Sequence, residues 1–325
     1  MTTEWTMLRF TLESMPEILA RLRGALAPLA PGDSLVLEVP DPDLSHAHYP
    51  GERLTLEDAA VVHRPLSTWN DLAEALGCTL GTPQRHPDAS GRVQLRFRKL
   101  SPAASWQLDA LPSGDPERYG TASTFARVDK LEEPRFLVDY LAAVRRMDLP
   151  IAARVLALGV NNGSELGALS AIFPPERWAQ MELVGVDHSV SAIADAEERY
   201  PYTPHRFVVG DISALGALDL GRFDLVIALN TLQSPAIDGR AIFRDVLSHH
   251  LRPGGSLLLG FPNCRYLDHT LVYGAQRKGV AGTELSVLLK EVKYYKRVLH
   301  QRGFEVTLTG KYTLLLAGRG RSQRA

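Results

Sequence analysis

The chain has 325 residues, of which 45% are hydrophobic, enough for one large core or two ordinary ones, and we expect two units. Its formal net charge is -1, so the chain as a whole lacks the basic excess of many nucleic-acid-binding proteins. The two cysteines, Cys78 and Cys264, have no metal-ligand spacing, and the N-terminus has no apolar signal region. These features predict a cytoplasmic protein with reduced thiols, no metal site and no membrane span.

The first hundred residues predict a small αβ domain, because strand and helix patterns alternate along residues 1–100. The predicted elements are a strand at 7–12, a helix at 16–29, a strand at 34–39, a long polar loop, a helix at 67–76 and an exposed or edge strand at 93–99. Ser14 stands where the first helix needs an N-cap. No Gly-rich loop occurs before Gly159, so we expect no cofactor to bind in this region.

A strand, a tight turn and a second strand follow near the middle of the chain. The apolar run 155–158 is too short for a helix and leads into a turn rich in Gly and Asn, which predicts a buried parallel strand. Asn tolerates the left-handed conformation, so Asn161 or Asn162 can stand where Gly is commoner. The helix after this turn is expected to offer free N–H groups to a ligand. A second apolar strand, 183–186, ends in Asp187, where an acidic residue can bind ribose hydroxyls.

Four motifs in this order, VLALGVNNG, VGVDHS, VVGDI and FDLVIALN, resemble those of the class I S-adenosylmethionine-dependent methyltransferases. The resemblance covers residues 155 to 318 and implies a Rossmann-like sheet of seven mostly parallel strands, with helices on both faces. It also implies S-adenosyl-L-methionine as the cofactor. Two positions depart from the family pattern, since Ala157 replaces a frequent acidic residue and Asn161 replaces a glycine.

The resemblance implies a set of cofactor-binding residues at the carboxyl ends of the predicted strands. They are Gly159, Asn161, Asn162, Gly163, Asp187, His188, Asp211, Ile212 and Asn230. Asp211 and the N–H of Ile212 would contact adenine, because a carboxylate accepts from an exocyclic amino group. For Asp211, the alternative is a surface residue that caps a helix.

Residues 101–150 are interpreted as a linker followed by a lid helix, because Pro, Ser, Gly and Asp are scattered through its first part. In the resembling family, the segment before the first strand often folds over the cofactor. By position the lid candidates are Arg118, Tyr119, Ser123 and Phe125. The alternative for the two aromatic residues is that they anchor the linker to the core.

The polar loop after the fifth strand is the predicted acceptor site. Its substrate candidates are Asn263, Arg265, Tyr266 and Tyr273. His269 is the candidate general base, because imidazole titrates near neutral pH, and a solvent-exposed loop histidine is the alternative. Asn230, expected beside the transferable methyl group, and the lid candidate Tyr119 complete the catalytic candidates.

These features predict a methyltransferase domain at 151–318 and a disordered tail at 319–325. The first functional hypothesis is methyl transfer to a small molecule by in-line displacement. The second is transfer to RNA or protein, supported by the basic bias of residues 290–325. The third is a non-catalytic Rossmann-like scaffold that forms a dimer or partner interface, and a homodimer is an option in each case. The segments 17–43 and 241–268 also share a helix, turn and strand order, so the N-terminal domain is either a truncated Rossmann-like half or an ordinary αβ unit.

Overall fold

A computed structural model describes residues 7–44, 49–85, 91–101, 115–123, 126, 129–202, 204–267, 270–273 and 285–320. The chain divides into two compact units. The first contains residues 1–104 together with 266–272, and the second contains residues 105–265 and 273–325. Within the described ranges, no helix combines the length and the apolarity needed to cross a membrane.

The first unit is a small αβ sheet structure. Its elements are β1 (Leu8–Arg9), α1 (Met15–Leu26), β2 (Ser34–Pro40), β3 (Glu52–Leu56), β4 (Ala59–His63), α2 (Leu66–Ala75), β5 (Cys78–Leu80), β6 (Gln84–Arg85) and β7 (Arg92–Lys99). The predicted helices are confirmed with shifted ends, and the first predicted strand is only two residues long. The polar loop after β2 contains the β3–β4 hairpin, which the sequence pattern did not indicate.

The N-cap predicted at Ser14 is confirmed and is part of a capping box. The Ser14 side chain accepts from the Glu17 N–H, and the Glu17 carboxylate accepts from the Ser14 N–H at 2.7 Å. This reciprocal pair satisfies two donors at the start of α1. From that start the helix buries Ile18 and Leu22 in the core of the first unit.

Strand β7 lies inside its sheet, so the prediction of an exposed or edge strand at 93–99 is wrong. The sheet order is β1-β2-β7-β5, and β6 also pairs with β7. Val93, Leu95 and Phe97 are buried, while Gln94, Arg96 and Arg98 on the other face are less buried, and the two arginines are the residues that suggested an edge. Side chains alternate between the two faces of a sheet. Exposed arginines on one face are therefore compatible with a strand that is hydrogen-bonded to neighbours on both sides.

In the described sheet of β1, β2, β5, β6 and β7, parallel pairing is confined to one βαβ element. Strands β1 and β2 are parallel and α1 connects them. Strand β7 runs antiparallel to β2, β5 and β6. The Rossmann-like order shared with the C-terminal part of the chain therefore extends over β1, α1 and β2 only.

The second unit is built on a seven-stranded sheet. The elements in chain order are α3 (Pro134–Arg145), β8 (Arg154–Leu158), α4 (Ser164–Gly167), α5 (Pro175–Trp178), β9 (Glu182–Asp187), α6 (Val190–Arg199), β10 (Arg206–Val209), β11 (Phe223–Leu229), α7 (Gly239–Asp245), β12 (Leu251–Pro262), β13 (Arg265–Leu267), β14 (Thr270–Tyr273), α8 (Leu285–Gln301), β15 (Glu305–Gly310) and β16 (Thr313–Arg319). Strands β13 and β14 form a separate hairpin, whose residues 266–272 group with the first unit.

The strand order in the large sheet is β10-β9-β8-β11-β12-β16-β15. Strand β16 runs opposite to the other six strands of this sheet. The predicted seven-stranded, mostly parallel sheet is therefore confirmed. Residues of α3 and α6 pack on one face of this sheet with Val155, and residues of α7 and α8 pack on the other with Leu156. The order of the strands reverses between β8 and β11, because β9 and β10 lie on one side of β8, and β11 and β12 lie on the other. In open α/β sheets, ligands bind outside the carboxyl ends of the strands at such a point.

The turn between β15 and β16 depends on Gly310. Its φ is +114°, and a Cβ there would clash with the carbonyl oxygen of Thr313. We expect Gly310→Ala to lower the free energy of unfolding by about 2 kcal/mol, because it combines backbone strain with a steric clash. Urea unfolding of the full chain measures this change.

Gly303→Ala is the matched control, because φ is +81° at Gly303 but a Cβ there would meet nothing within 4 Å. Its cost should be about 1 kcal/mol, from backbone strain alone. Equal destabilisation by the two substitutions would contradict the role given to the clash at Gly310.

Candidate active site

The loop after β8 makes a tight turn with three residues at positive φ. Gly159 has φ +64°, Asn161 +49° and Gly163 +73°. The Gly159 N–H donates to the carbonyl of Val186 in β9 at 2.9 Å, which holds the turn against the neighbouring strand. Asn161 thus adopts the left-handed conformation predicted for one of the two asparagines, where the related family often has glycine.

The Asp187 carboxylate lies at the end of β9 and joins two segments. Its Oδ2 accepts from the Asn161 N–H at 2.9 Å, and its Oδ1 accepts from the Ser189 N–H at 3.0 Å. Asp187 is only 5% exposed, so both backbone bonds form in a region of reduced solvent screening. The structure therefore brings together two residues that the sequence assigned to the cofactor, Asn161 and Asp187.

Residues 115–123, here called the strap, lie across the same region. Within it, Glu117 belongs to a short 3₁₀ helix, Pro116–Tyr119. The Glu117 carboxylate accepts from the Val190 N–H at 2.9 Å and from the Ser189 hydroxyl at 3.1 Å. It also accepts a short hydrogen bond from the Ser191 hydroxyl, and that bond is the largest cause of a lowered Glu117 pKa.

The strap is also bonded to the loop after β8. The Asn161 side-chain amide donates to the Tyr119 carbonyl at 2.6 Å. The Tyr119 ring lies edge-on to the half-exposed His188 ring, with 6.4 Å between centroids. Two predicted residues of the lid and of the cofactor loop therefore meet, and Glu117, which the sequence analysis did not single out, makes the larger set of contacts.

The end of β11 is joined to the end of β8 by Thr231. Its hydroxyl lies 3.0 Å from the carbonyl oxygens of Leu158 and Leu229. The preceding residue, Asn230, has φ +54° and donates its N–H to the carbonyl of Gly260 at 2.9 Å. Asn230 thus lies at the switch point of the sheet, in a conformation that costs free energy for most residues.

The Asn230 side-chain oxygen is buried and has no hydrogen-bond partner within the described part of the chain. An unsatisfied buried acceptor costs about 1–3 kcal/mol. Such a group in a folded protein is explained by local strain, an ordered water, a bound ion or a functional role. The end of β11 therefore presents an acceptor suited to an N–H or ammonium group.

Comparison with known proteins shows what the segment carrying this site is similar to. Residues 155–255 match a family profile described as a methyltransferase domain. This range runs from β8 into β12 and includes the loop after β8, Asp187 and Asn230. The second unit therefore contains a segment that is similar to a methyltransferase domain. S-adenosyl-L-methionine is the cofactor that the resemblance of the sequence motifs to class I methyltransferases predicts.

Two related proteins carry the name trans-aconitate 2-methyltransferase. The one from Variovorax paradoxus (strain S110) is 35% identical over 120 residues, which are 37% of this chain and 42% of the relative. The one from Azoarcus sp. (strain BH72) is 29% identical over 184 residues, 55% of this chain and 67% of the relative. The chain thus spans less than half of the first relative's length.

Among solved structures, a SAM-dependent methyltransferase from Aquifex aeolicus is similar with a TM-score of 0.43 and 13% identity. The similarity covers 63% of this chain and 98% of the Aquifex protein.

Two cofactor candidates of the methyltransferase domain make local bonds at the N-termini of short helices. The Asp211 Oδ1 accepts from the Ser213 N–H at 2.8 Å and caps the 3₁₀ helix Ile212–Leu218, as the alternative interpretation of Asp211 expected. The Asn162 Oδ1 accepts from the Ser164 N–H at 3.2 Å, at the start of α4. Helix α4 follows the turn as expected but has only four residues, and the offer of its N–H groups to a ligand stays a prediction. The contact of Asp211 with adenine stays a prediction.

A second acidic residue, Glu165, follows the loop after β8 and was not predicted. Its backbone carbonyl accepts from the buried Tyr140 hydroxyl at 2.9 Å. Burial is the main cause that raises the pKa of the Glu165 carboxyl, with a smaller contribution from Asp129. Nothing in the local sequence distinguishes this residue from a surface glutamate of a helix.

The polar loop after β12 is only partly described. Asn263 donates from its side-chain amide to the Lys311 carbonyl at 2.9 Å and accepts from the Cys264 N–H at 2.8 Å. Its polar atoms therefore hold the chain at the end of β12, and contact with a substrate stays a prediction. The side chains of Arg265, Tyr266 and Tyr273, as well as His269 and Phe125, lie outside the described residues. In the described part of the chain, no three His, Cys, Asp or Glu residues are grouped as metal ligands would be.

Proposed function

We propose that this chain is an S-adenosylmethionine-dependent methyltransferase that acts on a small carboxylic acid. The methyltransferase-domain match at residues 155–255 supports the reaction class. The observation that carries the proposal is the Asp187 carboxylate, held beside the loop after β8 by the Asn161 N–H at 2.9 Å. The names of the two relatives support the acceptor class, because trans-aconitate is a small tricarboxylate.

The residues at the ends of β8, β9 and β11 fit the proposed cofactor. Asp187 would accept from the ribose hydroxyls, since each of its carboxylate oxygens can take more than one hydrogen bond. The unpartnered Asn230 oxygen would accept from the ammonium of the methionine portion. This assignment offsets the departure at Ala157, where the related family often has an acidic residue.

The proposed reaction asks the protein mainly for binding and orientation. The bound cofactor would supply a methyl group on a sulfonium sulfur. A carboxylate oxygen of the acceptor would bond to the methyl carbon in line as the carbon–sulfur bond breaks, with S-adenosylhomocysteine leaving as the neutral thioether. Holding two reactants at near-attack distance can supply much of the rate enhancement. A carboxylic acid is ionised at neutral pH, so its oxygen needs no general base. The predicted role of His269 as a base would therefore apply only to a hydroxyl or amine acceptor.

RNA or protein is the alternative acceptor. Helix α8 carries basic residues at Lys290, Lys293, Lys296 and Arg297, but a solvated helix face is the commoner meaning of such a pattern. We further propose that the chain is divided into an N-terminal domain, a linker with a lid helix, a methyltransferase domain and a tail, with boundaries near residues 100, 150 and 318. A homodimer is also part of the proposal.

We expect methyl-labelled S-adenosylmethionine and the full chain to label a tricarboxylic acid such as trans-aconitate. The label should be released by mild base, because the expected product is a methyl ester. A monocarboxylic acid and bulk RNA serve as parallel acceptors. Labelling of RNA alone, or of the protein alone, would contradict the small-acid proposal while leaving the methyltransferase class in place.

A further inference from the structure

The strap and the Asp187 carboxylate are joined by a closed set of hydrogen bonds. Asp187 accepts from the backbone N–H groups of Asn161 and Ser189. The side chains of those same two residues bond to the strap, Asn161 to the Tyr119 carbonyl and Ser189 to the Glu117 carboxylate. We infer that the strap tunes cofactor affinity by fixing Asp187, with Glu117 as the positioning residue.

This inference rests on the proposed function, because it requires Asp187 to bind the cofactor. The Glu117 side chain reaches Asp187 through Ser189, and the strap backbone reaches it through Asn161. The Ser189 hydroxyl also accepts from the Ala192 N–H at 3.1 Å and so caps α6. One serine thus connects the strap, the helix N-terminus and the carboxylate at the end of β9.

The Glu117 carboxylate is held by several donors at the start of α6. These are the N–H groups of Val190 and Ser191, at 2.9 and 3.3 Å, and the hydroxyls of Ser189 and Ser191. The positive end of the helix dipole favours a negative charge at this position. Bonds to an ionised acceptor are about twice as strong as neutral ones, so loss of the charge should loosen the strap.

The segment that follows the strap has a separate contact with α4, the helix after the loop that follows β8. The 3₁₀ helix Lys130–Glu132 contacts α4, and the Asp129 carboxylate caps it. The Lys130 ammonium pairs with Glu133 at 2.7 Å. The Thr121 N–H also donates to the Ser191 hydroxyl at 3.0 Å. Removal of the Glu117 contacts should therefore loosen the strap on α6 without detaching the segment that follows it.

The test compares the full chain with Glu117→Gln by calorimetric titration with S-adenosylhomocysteine and with adenosine. We expect Glu117→Gln to weaken the binding of both ligands about tenfold, because both carry the ribose hydroxyls assigned to Asp187. The midpoint of thermal unfolding should stay close to that of the unaltered chain. Glu17→Gln is the matched control, because Glu17 accepts from Ser14 at the start of α1 in the first unit.

A double-substitution cycle separates positioning from a purely structural role. In an Asp187→Asn background, Glu117→Gln should change the affinity for S-adenosylhomocysteine by less than about twofold, because the two residues act through one chain of contacts. A full additional tenfold loss in that background would overturn the inference. Ser191→Ala provides a second way to loosen the strap, because the Ser191 hydroxyl donates to Glu117 and accepts from the Thr121 N–H at 3.0 Å, and it should also weaken binding.

Affinity unchanged in Glu117→Gln and in Ser191→Ala would overturn the inference and leave the proposed function standing. If Glu117→Gln does not fold, unchanged affinity in Ser191→Ala alone decides against the inference. Absence of binding by the unaltered, folded chain would overturn the proposed function and the inference together.

Discussion

Asp187→Ala should weaken the binding of S-adenosylhomocysteine about 100-fold, which corresponds to about 3 kcal/mol. Two losses add up in this variant. The ribose hydroxyls lose a charged acceptor, and the N–H groups of Asn161 and Ser189, bonded to Asp187 at 2.9 and 3.0 Å, lose theirs. The loop after β8 should therefore lose order together with the ligand contact. Calorimetric titration of the full chain measures the affinity.

Asp224→Ala is a matched control for Asp187→Ala. The Asp224 carboxylate accepts from the Arg154 N–H at 2.8 Å and from the Arg252 guanidinium at 2.7 Å, near the amino end of β11. Its removal should lower stability but leave ligand affinity unchanged, since ligands of such sheets bind at the carboxyl ends of the strands. Equal affinity losses in the two variants would show that the Asp187 effect is only a loss of fold stability.

Asn230→Gly should weaken the binding of S-adenosylhomocysteine about 30-fold, or about 2 kcal/mol, because it removes an acceptor proposed to meet an ammonium. Glycine adopts the left-handed conformation without a penalty, so the φ of +54° can be kept. The removed oxygen has no partner within the described residues, so its loss should leave the free energy of unfolding within about 1 kcal/mol of its original value. Titration and urea unfolding of one preparation measure both quantities.

Asn230→Ala separates the side chain from the backbone. Alanine also lacks the oxygen, but it tolerates the left-handed conformation less well and should cost about 1 kcal/mol of stability in addition. The two variants should therefore bind equally weakly and differ in stability. Unchanged affinity in Asn230→Gly would exclude the Asn230 oxygen as a cofactor contact.

The large sheet could be predicted from the sequence, because each of its strands is marked by a local pattern of apolar residues. The apolar runs that became β8, β9 and β11 each end in polar residues that mark the carboxyl edge of a parallel sheet. The left-handed turn at Asn161 was also readable, since few other residues accept that conformation. The capping box of Ser14 and Glu17 was predictable in part for the same reason, as its two residues are three positions apart.

The contacts of Glu117 could not be read from the sequence, because they join residues more than 70 positions apart. The segment Asp115-Pro116-Glu117 signals only a capped helix start. Strand β7 was predicted to lie at an edge because arginines alternate with apolar residues along it, which is typical of an edge strand. One of its neighbours, β5, has only three residues, too few for an apolar pattern that would predict a strand. The length of α4 could not be predicted either, because helix propensity does not determine where a short α-helix changes to a 3₁₀ helix.

The most direct test is a calorimetric titration of the full, unaltered chain with S-adenosylhomocysteine. A saturable one-site isotherm, largely lost in Asp187→Ala, is the predicted result. A folded chain that gives no binding heat and no rise in its unfolding temperature at saturating ligand would contradict the assignment of Asp187 and of the loop after β8 to the cofactor.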